Sequence, residues 1–249
     1  MLGPTPARYR SNLPSPVPAH PGDTLMTPER GALWRQVLAR RCARLVIVVE
    51  DCFDPHNATA IVRTCDAFGL ARVCVTTARN AFKINPKISQ GSHHWVQVDT
   101  FPDITACYAQ LRAEGFRILV SDLSSQAIIG PERLRPLLDE RPLALVFGNE
   151  GSGVTPEAVA QADGCFLIPM VGFPQSLNLS VSVATTVYTL RRRELDEDLP
   201  GDLDAATQHA LYDRWLRRDK GEAVDAILRR DVDRHGEPLD VIAEVSSKR

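Results

Sequence analysis

The stretch from Ile168 to Ala184 carries groups that could hold a ligand. Its backbone is restricted at three positions, Pro169, Gly172 and Pro174. These residues keep the chain out of regular secondary structure, which leaves nearby N–H and C=O groups free for a partner. Ser176 and Asn178 add side-chain donors and acceptors where an aliphatic run begins. The pattern predicts a ligand-binding loop that leads into a packed element.

A second candidate is the glycine-rich loop from Gly148 to Gly153. Glycines after a strand can let a backbone approach a phosphate, but the order here is Gly-x-x-Gly-x-Gly and no lysine follows. Glu150 inside the loop would also repel a pyrophosphate. An uncharged or cationic ligand therefore fits this loop better than a nucleotide phosphate.

Arg63 lies in a predicted helix whose surface is otherwise apolar, between Val62 and Cys65. One interpretation is structural: the guanidinium pairs with Asp66 or extends to solvent. The other is functional, because a planar guanidinium is well shaped to clamp a phosphate or to bind a ribose hydroxyl. Asn57 could cap the same helix.

Other chemistries lack support. His93 and His94 stand beside each other without a third ligand at suitable spacing, so no metal site is predicted. Ser176 lacks the Gly-x-Ser-x-Gly context of an exposed nucleophile. The six cysteines form no Cys-x-x-Cys pair, which favours reduced thiols in a cytosol over a disulfide scaffold.

Aliphatic runs of strand length alternate with helical segments, which predicts a parallel sheet covered on both faces. The predicted strands are 45–49, 71–77, 116–121, 143–147 and 165–168. Ligands of such sheets bind outside the carboxyl ends of the strands. The loops after Val49, Phe147 and Ile168 all follow strand ends, so we expect them to meet in space.

Residues 177–183 alternate between apolar and polar, as a strand would. The run continues to Leu195 with helical length and spacing, and its serines and alanines suit close packing, so a helix is predicted. Further helices are expected over about 28–41, with Thr27 as N-cap and Pro28 at the first position, and as a basic amphipathic segment from Asp202 onward.

The two ends of the chain differ from its middle. Residues 1–25 hold six of the eighteen prolines and no hydrophobic periodicity, which predicts a disordered extension. Although the net charge is -2, arginines cluster over 30–44 and again over 191–230. Solvated helix faces explain any one of them, yet two basic flanks also suit an RNA gripped from both ends. No apolar run is long enough to predict a membrane span.

Three segments together resemble one known family. They are Asn57 to Gly69 (NATAIVRTCDAFG), Leu145 to Val154 (LVFGNEGSGV) and Ile168 to Ser182 (IPMVGFPQSLNLSVS). They look like the three motifs of the SpoU/TrmH ribose methyltransferases of the SPOUT superfamily. The segments 38–41, 54–57 and 91–98 resemble the branch that methylates the 2′-hydroxyl of a guanosine, at position 18, in the tRNA D-loop.

The resemblance implies an α/β fold whose parallel sheet carries a C-terminal trefoil knot, flanked by N- and C-terminal helices. It further implies a cytoplasmic homodimer that acts on tRNA and binds S-adenosyl-L-methionine, without a metal or a membrane. In the family, backbone atoms of the knot loops hold the cofactor. The matching positions here are Ser121, Gly148, Ile168 and Leu177.

The same resemblance implies a catalytic site. Arg63 matches the family's catalytic arginine and Asn57 the residue that orients it; Glu150, Ser176 and Asn178 position the ribose and the knot loops. A helix cap remains the other interpretation of Asn57. The chain departs from the pattern at 58–59 and 179, where valine-serine and valine are expected, and after Arg193, where the family binds tRNA.

The predicted function is 2′-O-methylation of a tRNA ribose by S-adenosylmethionine. Methylation of ribosomal RNA or of another tRNA position is an alternative, and an inactive RNA-binding protein is a third. The expected organisation is a disordered extension (1–25), a methyltransferase domain with an N-terminal helix (26–195) and a helical tRNA-binding extension (196–249).

Overall fold

Seven strands form one all-parallel sheet in the structure, a computed structural model that describes residues 20–89, 91–221 and 223–227. The strands are β1 (Leu45–Glu50), β2 (Arg72–Thr76), β3 (Gln97–Phe101), β4 (Arg117–Ser121), β5 (Ile128–Ile129), β6 (Leu143–Phe147) and β7 (Gly164–Leu167). Their order across the sheet is β3-β2-β1-β6-β4-β7-β5. The α/β class and the parallel sheet expected from the sequence are confirmed.

Helices alternate with these strands along the chain and also precede and follow them in sequence. They are α1 (Pro28–Leu38), α2 (Pro55–Ala67), α3 (Pro86–Ser89), α4 (Ile104–Ala113), α5 (Arg135–Glu140), α6 (Pro156–Gln161), α7 (Leu179–Asp196) and α8 (Ala205–Lys220). The prediction of a helix where 177–183 alternates is confirmed by α7. Among the described residues, no helix is long and apolar enough to cross a membrane.

The central strands explain the buried core. Every residue of β1 and β6 is buried, and alternate residues of β1 point to opposite faces. Leu45, Ile47 and Val49 pack with buried residues of α2 and α7 on one face. Val46 and Val48 pack with buried residues of α4 and α6 on the other. The predicted two-sided coverage is therefore confirmed.

Two strands of the sheet, β3 and β5, were not predicted from the sequence. β3 lies at the edge of the sheet and carries Gln97, Asp99 and Thr100, so it lacks the aliphatic run of a buried strand. β5 has only two residues, Ile128 and Ile129, at the opposite edge. The residues of β3 are half-buried or exposed and can therefore be polar, whereas the two residues of β5 are too few to show the pattern of a strand.

The described chain divides into two units, residues 42–197 and a unit built from the two flanking segments, up to Arg41 and from Asp198. In this flanking unit α1 packs on α8. The Trp34 ring meets those of Tyr212 and Trp215 edge-on, each at 5.9 Å between centroids. Edge-to-face pairs of this kind stabilise beyond the area they bury.

The start and end of α1 have local causes. As predicted, Thr27 is the N-cap, with its side chain accepting from the N–H of Arg30, and Pro28 is the first helical residue. The helix ends at Leu38 rather than near Arg41, because the Gly201 N–H donates to the Ala39 carbonyl at 2.7 Å. A Cβ on Gly201 would lie 2.0 Å from the Arg41 oxygen, so this backbone contact requires glycine.

Two expectations need correction. Residues 21–25, expected to be disordered, form a 3-10 helix that His20 caps by accepting from the Gly22 N–H; residues 1–19 of the predicted extension lie outside the described chain. Asn57 does not cap α2. Asp54 does, because its carboxylate reaches the N–H of His56 at 2.8 Å and Pro55 starts the helix.

Candidate functional site

Four neighbouring strands, β1, β6, β4 and β7, end at one edge of the sheet. Val49 pairs with Phe147 across β1 and β6, and Ser121 pairs with Phe166 across β4 and β7. The segments after these strands therefore start side by side. This juxtaposition confirms the expected meeting of the loops after Val49, Phe147 and Ile168.

A chain of amide hydrogen bonds joins these segments. The Asn178 side-chain N–H donates to Asn57 Oδ1 at 3.0 Å, and the Asn57 N–H donates to Glu150 Oε1 at 2.9 Å. Three predicted site residues, up to 121 positions apart in sequence, are thus in direct contact. Asn57 is 6% exposed, so its amide is largely shielded from water. We call this arrangement the Asn57–Glu150–Asn178 bridge.

The Glu150 carboxylate is the acceptor at the end of this bridge. Backbone N–H groups of Phe53 and Asp54 donate to it at 3.1 and 3.4 Å, and Cys52 Sγ lies 3.2 Å away. Partial burial alone would raise the pKa of Glu150, but the donors, Asn57 foremost, outweigh it and hold that pKa below its ordinary 4.5. Burial and the nearby carboxylate raise the pKa of Cys52 to about 12, so Cys52 stays a thiol.

This lowered pKa predicts acid sensitivity. A carboxylate whose pKa is lower in the folded than in the unfolded state stabilises the fold above the unfolded pKa of 4.5, and this contribution is lost as pH falls through the folded value. We expect Glu150→Gln to lower the free energy of unfolding at pH 7 and to flatten its decline below pH 4.5. Urea unfolding from pH 7 to pH 3 measures both.

Glu132→Gln is the matched control, because Glu132 is an exposed carboxylate outside the site. A Glu150→Gln curve that runs parallel to wild type over the acid range would contradict the assignment of this carboxylate as an ionised acceptor.

The loop from Gly148 to Gly153 is held in shape by its own residues. Asn149 and Gly153 exchange backbone hydrogen bonds at 3.0 and 2.8 Å. The Asn149 side chain donates to the Asp51 carbonyl at 2.8 Å and accepts from the N–H of Gly151 at 2.8 Å. The side chain of Asn149 therefore ties the loop after β6 to the end of β1.

Gly148 is required by a close backbone approach. A Cβ there would lie 2.1 Å from the carbonyl carbon of Gly153 and from the backbone nitrogen of Val154. We expect Gly148→Ala to lower the free energy of unfolding by about 2 kcal/mol, because the loop must shift to admit the methyl group. Gly151→Ala is the control, since its Cβ would meet nothing closer than 3.5 Å. Equal urea midpoints for the two variants would contradict this explanation.

Two structural residues of the site were missed by the sequence interpretation. Asn149 is one, and Glu50 at the end of β1 is the other. The Glu50 carboxylate is 2% exposed and accepts from the N–H and the hydroxyl of Thr155 at 2.9 and 2.6 Å, which fixes the start of α6. An acidic residue that ends a wholly aliphatic strand was the available signal.

The remaining predicted residues lie near the bridge without joining it. Arg63 is exposed on α2, six residues or about 9 Å along the helix from Asn57, and its guanidinium donates to the Ile88 carbonyl at 3.3 Å. Ser176 is exposed in the segment before α7. Within the described residues, neither side chain hydrogen-bonds to Asn57, Glu150 or Asn178.

The residues matched to cofactor binding stand at successive points of this edge. Ser121 ends β4, Gly148 follows β6 and Ile168 follows β7, and all three are half-buried. Leu177, also half-buried, precedes the Asn178 cap of α7. Between Ile168 and Asn178 the chain has neither helix nor strand, so its backbone groups are not engaged in a helix or sheet.

Sequence comparison with known proteins matches this chain to one family of methyltransferases. The profile of the SpoU rRNA Methylase family matches residues 44–188, which contain all nine predicted site residues. A tRNA (guanosine(18)-2′-O)-methyltransferase of Escherichia coli is 37% identical over 168 residues, 68% of this chain and 72% of that protein. A protein of the same name from Thermus thermophilus is 34% identical over 185 residues, 74% and 93% of the two chains.

Structural comparison agrees with the sequence matches. The crystal structure of the A. aeolicus TrmH/SpoU tRNA modifying enzyme superposes with a TM-score of 0.69 at 31% identity and covers 77% of this chain and 97% of that one. The match thus extends over nearly the whole of that relative.

Proposed function

The chain belongs to the SpoU rRNA Methylase family, and from this premise we propose that it methylates the 2′-hydroxyl of a tRNA ribose, at guanosine 18 of the D-loop. The observation that carries the proposal is the Asn57–Glu150–Asn178 bridge, which gathers polar groups from all three motifs at the ligand-binding edge of the sheet. The two relatives with that activity in their names are 34% and 37% identical.

The proposed methyl donor is S-adenosyl-L-methionine, held by backbone groups at Ser121, Gly148, Ile168 and Leu177. The fit rests on two observations: three of these residues end or follow adjacent strands, and the backbone between Ile168 and Asn178 is not engaged in a helix or sheet. The donor supplies an electrophilic methyl group on a sulfonium cation. Glu150, with its lowered pKa, contributes negative charge to the same edge.

In the proposed mechanism the protein orients the ribose and removes its proton. A ribose hydroxyl is a weak nucleophile at neutral pH, so alignment with the methyl group must supply much of the catalysis. Arg63 clamps a substrate phosphate and the hydroxyl as a donor. A guanidinium offers only hydrogen-bond donors, which disfavours Arg63 as the base, and the clamped phosphate is the proposed proton acceptor.

The other four predicted catalytic residues position the helices α2 and α7 and the substrate ribose. Asn57 and Glu150 fix the first turn of α2, the helix that carries Arg63, through the 2.9 Å hydrogen bond between their side chains. Asn178 joins α7 to Asn57. Ser176, exposed two residues earlier, binds the ribose. Together they hold the acceptor beside the donor.

We further propose that the C-terminal part of the sheet is tied in a trefoil knot. β7 lies on the far side of β4 and β6 from β1, yet the chain that leaves it returns to pack α7 on α2. The bond from Asn178 to Asn57 belongs to this return. In the proposed knot this return threads through the loop formed by the chain around β4 and β6.

A homodimer is proposed from the surface of α7. Val181, Tyr188 and Leu195 are 42–47% exposed although apolar, and each is seven residues from the next. Seven residues are about two turns, so these side chains form a stripe on one face. A second copy of the chain would cover such a stripe.

We propose that the flanking unit binds the tRNA substrate. Arg214, Arg217 and Arg218 are exposed on α8, and contacts of arginine and lysine with phosphates supply a large share of the affinity of proteins for nucleic acids. A tRNA substrate and six cysteines that are all free support a cytoplasmic location.

Two other functions compete with this proposal. The name of the matched family favours ribosomal RNA as the substrate. A protein that binds RNA without modifying it is the rival from a different class, against which the joint presence of Asn57, Arg63, Glu150, Ser176 and Asn178 speaks.

One assay separates these functions. Purified protein is incubated with labelled S-adenosylmethionine and either unmodified tRNA or ribosomal RNA, and the modified nucleotide is mapped. We expect label at the 2′-oxygen of guanosine 18 of tRNA. Label in ribosomal RNA alone would show that ribosomal RNA is the substrate instead. No label in either RNA, from protein that is folded and binds the donor, would favour the binding protein.

A further inference from the structure

Phe53 presents an aromatic ring to solvent next to the Asn57–Glu150–Asn178 bridge. The residue is 74% exposed, although it closely follows the wholly buried β1 and the buried Cys52. A large apolar side chain in water forgoes the stabilisation that burial would give. Exposure of this ring at the ligand-binding edge therefore points to a partner that covers it during function.

The backbone that carries the ring is fixed on both sides. The N–H of Phe53 donates to Glu150 Oε2 at 3.1 Å, and the N–H of Asp54 donates to Oε1 at 3.4 Å. Asp54 in turn caps α2. The ring is thus attached to a held segment, next to the carboxylate proposed to position the ribose. A preorganised aromatic side chain loses little conformational freedom when a ligand covers it.

The covalent structure of a nucleotide identifies this ligand. A ribose held for 2′-O-methylation carries its nucleobase on the adjacent carbon, so the base lies beside whatever surrounds that ribose. We propose that Phe53 stacks on the base of the nucleotide that receives the methyl group; this inference rests on the proposed function. Unpaired bases of RNA loops are commonly held by stacking on aromatic side chains.

The surroundings of Phe53 favour a base over a second copy of the chain. A subunit contact needs a contiguous apolar patch. The exposed neighbours of Phe53 in sequence are Pro55 and His56, and its hydrogen-bond partner is the charged Glu150. The exposed apolar stripe proposed for the dimer lies elsewhere, on α7.

The test compares Phe53→Ala, Phe53→Leu and Phe53→Trp with the unaltered full chain in methyl transfer to tRNA. Phe53→Ala is expected to raise KM for tRNA about 10-fold through loss of one stacked base. Phe53→Trp keeps a ring and should remain near wild type. Phe53→Leu keeps apolar volume without a ring and should behave like the alanine variant. We expect the affinity for S-adenosylmethionine to be unchanged in all three variants.

A second arm removes the base instead of the ring. With a ligated tRNA that carries an abasic ribose at the acceptor position, Phe53→Ala and wild type should have equal KM values. A difference that persists on abasic tRNA overturns the proposal, as does a KM for Phe53→Ala that equals wild type on intact tRNA.

Two controls test whether Phe53 serves a subunit contact instead and whether the proposed function itself fails. A folded Phe53→Ala protein that becomes monomeric in analytical ultracentrifugation, where wild type is a dimer, would assign the ring to a subunit contact and overturn the stacking role. An unaltered protein that methylates no tRNA would overturn the proposed function together with this inference. An active wild type with an insensitive Phe53→Ala overturns the inference alone.

Discussion

Arg63→Ala is expected to reduce methyl transfer to tRNA by at least about 10³-fold, because it removes the cation that clamps the phosphate and the reacting hydroxyl. Binding of S-adenosylmethionine should survive, since the residues proposed to hold the donor lie at the ends of β4, β6 and β7 and in the segment before α7. Single-turnover transfer and isothermal titration with the donor measure the two effects separately.

Two further variants sharpen this result. Arg63→Lys keeps the charge but cannot bind a phosphate through two parallel hydrogen bonds, so we expect only partial rescue. Arg133→Ala removes an exposed arginine outside the site and should leave transfer unchanged. Turnover of Arg63→Ala close to wild type would remove this residue from the mechanism.

Asn178→Asp is expected to lower kcat about 100-fold while α7 keeps its N-cap. Asn178 acts in two directions: its Oδ1 accepts from the N–H of Ser180 at 2.9 Å to cap α7, and its amide N–H donates to Asn57 at 3.0 Å. Aspartate preserves the cap, since it is as good an N-cap as asparagine. It cannot donate, and its carboxylate would face the Asn57 oxygen.

Asn178→Ala distinguishes the two roles of this side chain. It loses the cap as well as the bridge, so we expect a similar fall in kcat together with a loss of about 1 kcal/mol in the free energy of unfolding. Steady-state kinetics with urea unfolding reports both quantities. Equal kcat for Asn178→Asp and wild type would show that the contact with Asn57 has no part in the reaction.

The direction of the hydrogen bonds explains why so conservative a change should matter. Donors run one way, from the first N–H groups of α7 to Asn178, from Asn178 to Asn57 and from Asn57 to Glu150. Each amide is oriented by the next, and the carboxylate receives the last donor. Replacing the amide N–H of Asn178 by a carboxylate oxygen leaves two acceptors in contact, which costs more than an absent hydrogen bond.

The sequence predicted the sheet because its inner strands are aliphatic runs that only a doubly covered parallel sheet accommodates, as β1 and β6 show. It also placed the loops after Val49, Phe147 and Ile168 together, because parallel strands share a carboxyl edge. The position of β6 between β1 and β4 was beyond prediction, since nothing in the spacing of aliphatic runs encodes the order across a sheet.

For the site, too, the sequence predicted features that depend on neighbouring residues, but not contacts between residues far apart in the chain. The polar character of Asn57, Glu150 and Asn178 is local, and so are the motifs that suggested them. Which of them touch depends on how α7 returns to α2, a contact between residues 121 positions apart. Local cap propensity favoured Asn57, whereas the folded chain uses Asp54 as the cap and turns Asn57 toward Glu150.

The composition of the flanking unit has a consequence for synthesis on the ribosome. α1 emerges among the first described segments, but Tyr212 and Trp215, which meet Trp34, are translated about 180 residues later. Until then the indole of Trp34 has no aromatic partner from α8, while residues 42–197 can already complete their sheet. The first α-helix of the described residues, α1, must therefore be among the last to reach its final packing.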